Sequence, residues 1–332
     1  MSITAAIVTA RQTQDTTFAA WCKLREALFN QCPVTLAETT YADFESSALT
    51  MEFRELLLAC LPAAASQEHH LVPSLRSLRL QTKLPDEILI IDRLFDLTSD
   101  QEKAAIVASL QFPNTTKIQW LPPILSQEEN AYREAAGIPF SWDWNGKAFC
   151  CADKNTAVVK CQTDHLIMVD DCCLASPGLV YTANEVCNAD KILLLGHAKV
   201  FLPNKDNPKV DFTVAHWLQS RGYDETEHKN ILRPVFGVWA MPLKFVLAVN
   251  GFNTKVVDTA LCASDVELFA RMGRYTDENK IKYVMRSSAR LYEVEHAALW
   301  PSGDSYKTLK QFLQPEGYRV LGPDLTALHN AV

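Results

Sequence analysis

The densest concentration of usable chemistry lies in His165–Asp171, HLIMVDD. An apolar run that reads as a buried strand ends in two carboxylates, Asp170 and Asp171. In open α/β sheets that strand edge is where ligands bind. Adjacent acids repel unless a cation or a set of donors compensates. A hard divalent ion bridging to phosphates would do so, because such ions take oxygen ligands. The competing reading is a polar strand end facing water. Asp92 repeats the placement at the end of EILIID, residues 87–92. It either hydrogen-bonds a base or ribose or simply ends its strand. Ser264–Glu267, SDVE, forms an S-x-x-E capping box, with Asp265 suited to the positive end of a helix. The chemical alternative has Asp265 facing a cleft and accepting a proton. His296 follows an apparent strand as a surface residue or a metal ligand. Phe140, Trp142, Trp144 and Phe149 crowd around Asp143 and Gly146, either as core or as platforms for a sugar or base. Trp239 is a further candidate aromatic for sugar or acceptor.

The elements that must position these residues alternate in type. Ile3–Thr9 reads as a short buried strand. Helical patterns follow over about Thr17–Asn30 and Asp43–Cys60, broken by Pro33 and Pro62. A third helix starts at Val72–Pro73, where proline suits a first turn, and Leu84–Pro85 stops it. Strands at Glu87–Asp92, Lys117–Leu121, His165–Val169 and Ile192–Leu195 alternate with helices at Thr98–Leu110 and Asp153–Lys160. Residues from about 126 to 151 are irregular. A polar loop spans Pro203–Val210. The last third reads as a strand at Val235–Met241, a turn at Gly251, a helix from Asp265 to Tyr275, a strand at Leu291–Val294 and a closing helix at Ser305–Leu313. Strands alternating with helices predict an α/β sheet with largely parallel strands. No linker divides the chain.

Composition excludes several classes. The 332 residues are 48% apolar and 21% charged, so the chain is globular rather than disordered. Against 39 acidic residues stand 32 basic ones, a net charge of −7, so any nucleic-acid contact must be local. The start, MSITAAIVTARQTQD, lacks a basic leader and an apolar core, so no signal peptide is expected. No run approaches the roughly 18 apolar residues of a membrane span. The ten cysteines are expected as free thiols in a reducing, cytoplasmic setting. Cys150–Cys151 and Cys172–Cys173 are adjacent pairs without finger spacing, so structural zinc is not expected. No GxGxxG or GxxxxGK[ST] is present, which removes the usual dinucleotide and P-loop signals.

Taken in order, the motifs resemble those of GT-A-fold nucleotide-sugar glycosyltransferases of the family 2 type. That family carries Ser-x-x-x-Gln ahead of an EIIVVDD-like strand; here Ser77 and Gln81 precede Glu87–Asp92. Its R-N-x-G helix start and DxD strand are matched by Lys154–Asn155–Thr156–Ala157 and by His165–Asp171. Its GGFDE turn and ED-containing helix are matched by Asn250–Gly251–Phe252–Asn253 and Ser264–Asp265–Val266–Glu267–Leu268. The resemblance covers about residues 70–296. It implies a Rossmann-like, mixed but mainly parallel sheet flanked by helices, with a helical insertion over 11–69 after the first strand. Residues 1–10 and 70–200 would bind the donor and 201–332 would form the acceptor side of one catalytic domain.

The implied activity is inverting transfer from a nucleotide sugar, UDP-linked by family habit, to an acceptor hydroxyl. Thr9, Ala10, Arg11, Asp92, Lys154, Asn155, Asp170 and Asp171 would bind the donor. Asp265 would be the base, and manganese or magnesium would sit at Asp171 with His296. The implied acceptor is a glycan. The alternative is a hydroxymethylated base in DNA, suggested by the basic stretch Arg271, Arg274, Lys280, Lys282, Arg286 and Arg290. Departures from the family pattern are Cys172 where the last DxD acid belongs, Ser264 in place of the first acid of ED, and Thr9–Ala10–Arg11 in place of Pro-Thr-Tyr. A thiol is a poor ligand for magnesium or manganese. Cys172 and Ser264 keep open an inactive nucleotide-sugar-binding module, and the strand-end acids keep open a nucleotidyltransferase, against which the absence of glycine over residues 8–16 counts.

Overall fold

The computed structural model describes residues 1–9, 16–38, 46–61, 68–93, 95–124, 150–214, 238–253, 263–294 and 324–332. The chain is a mixed α/β structure. Its strands are β1 (Ile3–Thr9), β2 (Val34–Glu38), β3 (Glu87–Asp92), β4 (Lys117–Leu121), β5 (His165–Asp170), β6 (Cys173–Ala175), β7 (Ile192–Phe201), β8 (Val210–Val214), β9 (Trp239–Pro242) and β10 (Tyr283–Val294). Its helices are α1 (Thr16–Phe29), α2 (Ser46–Cys60), α3 (Val72–Arg79), α4 (Asp100–Ser109), α5 (Cys150–Lys160), α6 (Leu179–Asn188), α7 (Leu243–Ala248), α8 (Ala263–Asn279) and α9 (Leu325–Asn330). All ten strands join one sheet, in the order β2-β8-β7-β9-β5-β1-β3-β4, with β10 beside β7 and β6 beside β10. The block β4-β3-β1-β5 is parallel throughout.

Within the parallel block β1, β3 and β5 are buried on both faces because helices cover both, and β4 is half-buried. Alternate residues divide between two cores. Ile7, Ile88, Ile90, Ile167 and Val169 face Leu75 and Leu78 of α3 and Val180 and Val186 of α6. Ala6, Leu89, Ile91, Leu166 and Met168 face Val158 of α5, Phe245 of α7 and Phe269 and Met272 of α8. That is the period-2 alternation of a strand. Register is fixed at the opposite edge from the candidate site. Buried Glu87 accepts from Thr4 Oγ1 at 2.8 Å and Gln119 Nε2 at 2.9 Å, while Asp86 Oδ2 accepts the Ile3 N–H at 2.8 Å.

The Ser77–Gln81 motif proves to be a brace. Ser77 Oγ donates to the Ser74 carbonyl at 2.6 Å and accepts from Ala175 N–H at 2.9 Å. Gln81 Nε2 donates to Ser176 O at 2.9 Å, and its Oε1 accepts from Val180 N–H at 3.1 Å. Together they fasten α3 to β6 and α6. Within the expected insertion, α1 and α2 form a third core, in which Trp21, Leu24, Phe53 and Leu57 pack on Leu174, Val200 and Tyr292.

Several elements differ from the sequence expectation. β10 begins at Tyr283 rather than Leu291, and its polar middle is paired: Ser288 O accepts from Ser176 Oγ at 2.9 Å. α8 begins at Ala263, so Ser264 lies inside the first turn rather than at the N-cap of the expected capping box. The expected helix at 305–313 and the aromatic segment at 126–149 lie outside the described residues. No described helix is long and apolar enough to cross a membrane.

Two glycines give opposite expectations. Gly251 has φ +64°, and a Cβ there would collide with Asn155 Oδ1 and Leu325 Cδ1. Gly251→Ala should therefore cost about 2 kcal/mol or more, from left-handed strain plus overpacking. Gly273 sits inside α8, with open space where a methyl group would stand. Gly273→Ala should add about 0.5–1 kcal/mol. Urea unfolding of both variants checks the pair.

Candidate active site

Parallel pairing brings the sequence-derived acids to one edge. Thr9 of β1 is in register with Asp92 of β3, and Val8 is in register with Asp170 of β5. The chain runs from β1 outward to β3 on one side and returns to β5 on the other. The strand order therefore reverses at this edge, the usual place for a ligand crevice in an open α/β sheet.

The acids there differ in circumstance. Asp92 is buried, and its Oδ2 accepts from Trp120 Nε1 at 2.9 Å. Asp171 is also buried. Its Oδ2 accepts from Thr9 Oγ1 at 2.7 Å, and its carbonyl accepts from Ser74 Oγ at 2.8 Å. Thr9 Oγ1 also lies 3.0 Å from His70 Nε2. Asp170 is half-buried at the last position of its strand. Cys172 turns into the apolar core, so a thiol there is packing rather than an exposed ligand.

Two further charged residues were not singled out from the sequence. Arg93 follows Asp92 directly and donates its Nε to Asp153 Oδ2 at 2.9 Å and its Nη2 to Oδ1 at 2.6 Å. This bidentate pair joins the end of β3 to the first turn of α5. Burial holds Asp153 above the usual carboxylate range, against the pull of Arg93. The Arg93 N–H meanwhile donates to Thr9 O at 2.9 Å.

From Asp153 the helix leads to Lys154 and Asn155, both buried. Asn155 Nδ2 donates to Phe252 O and its Oδ1 accepts from Phe252 N–H, each at 2.8 Å. Lys154 Nζ lies 5.3 Å from the centroid of the Phe252 ring. The KNTA and NGFN segments, read separately in the sequence, are thus one joint. The same turn is held from α8, where Arg271 donates to Val249 O at 2.6 Å and Gly251 O at 2.7 Å. Asp265 lies in the first turn of that helix.

The remaining candidates divide between core and undescribed positions. Arg271 is buried in this clamp and Arg290 faces Glu52 at 3.2 Å, so two of the six residues in the basic stretch serve the fold. Trp239 is fully buried and stacks near Phe252, with ring centroids 6.5 Å apart. Its indole is enclosed by the core rather than open to a ligand. Ala10, Arg11, Trp142, Trp144 and His296 lie outside the described residues.

Among the described residues no three His, Cys, Asp or Glu side chains converge as a ready metal cage. The carboxylate at Asp170 still suits a hard ion of the magnesium type, which commonly takes one or two protein carboxylates and completes its shell with water and phosphate oxygens. Asp171, turned inward to Thr9, is the less open of the two acids.

His69 and His70 were also missed; the visible signal was an adjacent histidine pair just ahead of the Pro73 helix start. Their rings stack at 4.4 Å, and His69 meets Trp120 edge-on at 5.3 Å.

No family model matches the sequence, and no curated protein matches it. Among solved structures, the fold is similar to S. aureus TarS at a TM-score of 0.46 and 12% identity, covering 94% of this chain and 39% of that one. S. aureus TarS 1-349 in complex with UDP gives 0.46 and 11%, covering 94% and 64%. The same protein in complex with UDP-GlcNAc gives 0.48 and 12%, covering 94% and 65%. This chain therefore spans less than two thirds of the length of each of these structures.

The histidine pair generates a pH expectation. Burial, with His70 beside it, lowers His69 to about 3. The unfolded ring takes up a proton near pH 6.5 and the folded ring does not. The unfolded state therefore gains protons first, and stability falls as pH drops from about 6.5 towards 3. Between pH 7 and 5 this one group should cost about 2 kcal/mol. In urea titrations at the two pH values, His69→Phe should lose correspondingly less than the parent chain.

Proposed function

We propose that this chain transfers a sugar from a nucleotide-sugar donor to an acceptor hydroxyl. The observation that carries the reading is the convergence of Thr9, Asp92 and Asp170 on one sheet edge where the strand order reverses. That edge offers buried hydrogen-bonding groups for a nucleoside and a half-buried carboxylate for its diphosphate end. The order of the sequence motifs over residues 70–296 supports the same reading, with UDP as the nucleotide.

In this scheme Asp92, braced by Trp120, borders the nucleoside together with the segment from Thr9 to Arg11. Asp170 faces the ribose and diphosphate, and Asp171 holds the strand end in place. Manganese or magnesium held by Asp170 would neutralise charge on the departing diphosphate. Asp265 takes the proton from the acceptor hydroxyl as that oxygen attacks the anomeric carbon from the opposite face, which inverts the centre. Lys154 and Asn155 act on the donor indirectly, by fixing the turn at Phe252. Trp142 and Trp144 border the sugar or acceptor.

A glycan is the preferred acceptor. The DNA reading loses support because Arg271 and Arg290 are engaged within the fold.

A thermal-shift panel of nucleotide sugars on the full chain, with and without manganese, tests the donor. UDP-sugars should raise the melting temperature, since a ligand that binds only the native state stabilises it. A flat response across the panel, with a response to nucleoside triphosphates instead, would favour the nucleotidyltransferase. Once a donor and acceptor are found, Asp265→Asn should cost about 10²–10⁴-fold in single-turnover rate. Its donor affinity should stay close to that of the parent. Asp170→Ala should lose donor binding itself. Activity of Asp265→Asn within about threefold of the parent, far short of a lost base, would remove Asp265 from the reaction.

A further inference from the structure

The segment that leaves the insertion, Glu68–His70, reaches into the strand edge. Arg76 of α3 pins its start, donating Nη1 and Nη2 to Glu68 at 2.6 and 2.8 Å, and Nη1 also to Cys60 O at 3.0 Å. At its end, His70 lies against Thr9. Both side chains are almost completely buried, and so is Asp171 beyond them.

Proton counting sets the direction of this chain of contacts. The Thr9 hydroxyl has one hydrogen, and at 2.7 Å from the acceptor-only carboxylate of Asp171 it is donated there. The contact from His70 Nε2 at 3.0 Å must then be a donation to Thr9 Oγ1. The order is His70 Nε2–H to Thr9 Oγ1–H to Asp171 Oδ2, in which each bond polarises the next. Donors to a buried carboxylate are charge-assisted and strong, and leaving one out is costly. Asp171 is anchored a second time through its carbonyl by Ser74 Oγ. Its neighbour Asp170 takes its position from that doubly held backbone.

We infer that His70, the first residue after the insertion, is a positioning residue of the donor site, which acts through Thr9 to fix Asp171 and thereby the Asp170 carboxylate. The inference rests on the nucleotide-sugar reading above. It assigns the exit of the insertion a part in shaping the donor site and fixes the Nε2-protonated tautomer of His70.

The test is calorimetric binding of UDP, with manganese present, to the full chain and to His70→Phe, His70→Gln, Thr9→Val and the double variant His70→Phe/Thr9→Val. Phenylalanine keeps a ring but no donor. Glutamine can place an amide N–H near the Nε2 position. His70→Phe and Thr9→Val should each weaken UDP binding about tenfold or more, the usual scale for lost outer-shell partners. His70→Gln should stay within about threefold of the parent, and the double variant should be little worse than either single one, because both cut the same chain.

A residue that only supports the fold would lower unfolding stability without moving the UDP affinity of the folded protein. Unchanged UDP affinity in His70→Phe overturns the inference while leaving the donor reading intact. If that variant does not fold, unchanged affinity in Thr9→Val does the same. A parent chain that binds neither UDP nor any nucleotide sugar overturns the donor reading, and the inference falls with it.

Discussion

The Arg93–Asp153 ion pair is the joint on which the site's geometry depends. Both side chains are almost fully removed from water, and removing either would strand a buried charge. Such a pair stabilises little in net terms, because desolvation offsets most of the attraction. Its consequence here is geometric. Arg93 bonds by its backbone to the end of β1 and by its fork to the start of α5. Asn155, two residues on from Asp153, holds the turn at Phe252, and Arg271 holds the same turn from α8. A continuous buried polar framework therefore runs from the strand edge to the helix that carries Asp265.

The same framework explains how one edge tolerates so many acids. Like charges placed close together raise one another's pKa unless each has compensation. Asp92 has Trp120, Asp171 has Thr9 and Asp153 has Arg93. Each buried acid is matched to a donor of its own, supplied by a different element. Asp170 is the acid left half-buried at the strand end. Two aspartates of equal appearance in the sequence thus differ in exposure, Asp171 buried and Asp170 half-buried.

The parts of the fold legible in the sequence were those with a strong local period. β1, β3 and β5 matched because a two-sided apolar run leaves few alternatives to a buried parallel strand, and β4, a half-buried strand at the end of the strand order, matched as a short run ended by Pro122 and Pro123. α3 matched at its start because proline marks a first turn, but it stops at Arg79 because Gln81 turns aside to brace Ser176. β6 and β8 were not legible: they are short, and their pairing with distant strands holds them in the sheet. At the site, spacing located Asp92, Asp170 and Asp171 but not their partners. Thr9 meets a histidine 61 residues away and an aspartate 162 residues away, separations at which no local pattern exists. Asn155 and Phe252 were both noted, yet that they form one joint is a fact of packing.

The basic stretch near the end of the chain shows why charge counted along a sequence misleads about partners. Six cations within twenty residues suggest an anionic partner. In the structure they are spread over a helix (Arg271, Arg274), the turn after it (Lys280, Lys282) and a strand (Arg286, Arg290). Arg271 donates to carbonyls at the Gly251 turn, and Arg290 faces Glu52 of the insertion, which also accepts from the Tyr292 hydroxyl. Arg271 and Arg290 are held within the fold rather than presented on a surface, and the chain's net charge of −7 opposes a polyanion at long range. An acceptor recognised by neutral hydroxyl groups needs no cationic surface, and stacking and hydrogen bonds suffice for it. The placement of these arginines thus bears on the choice of acceptor as directly as the acids bear on the choice of donor.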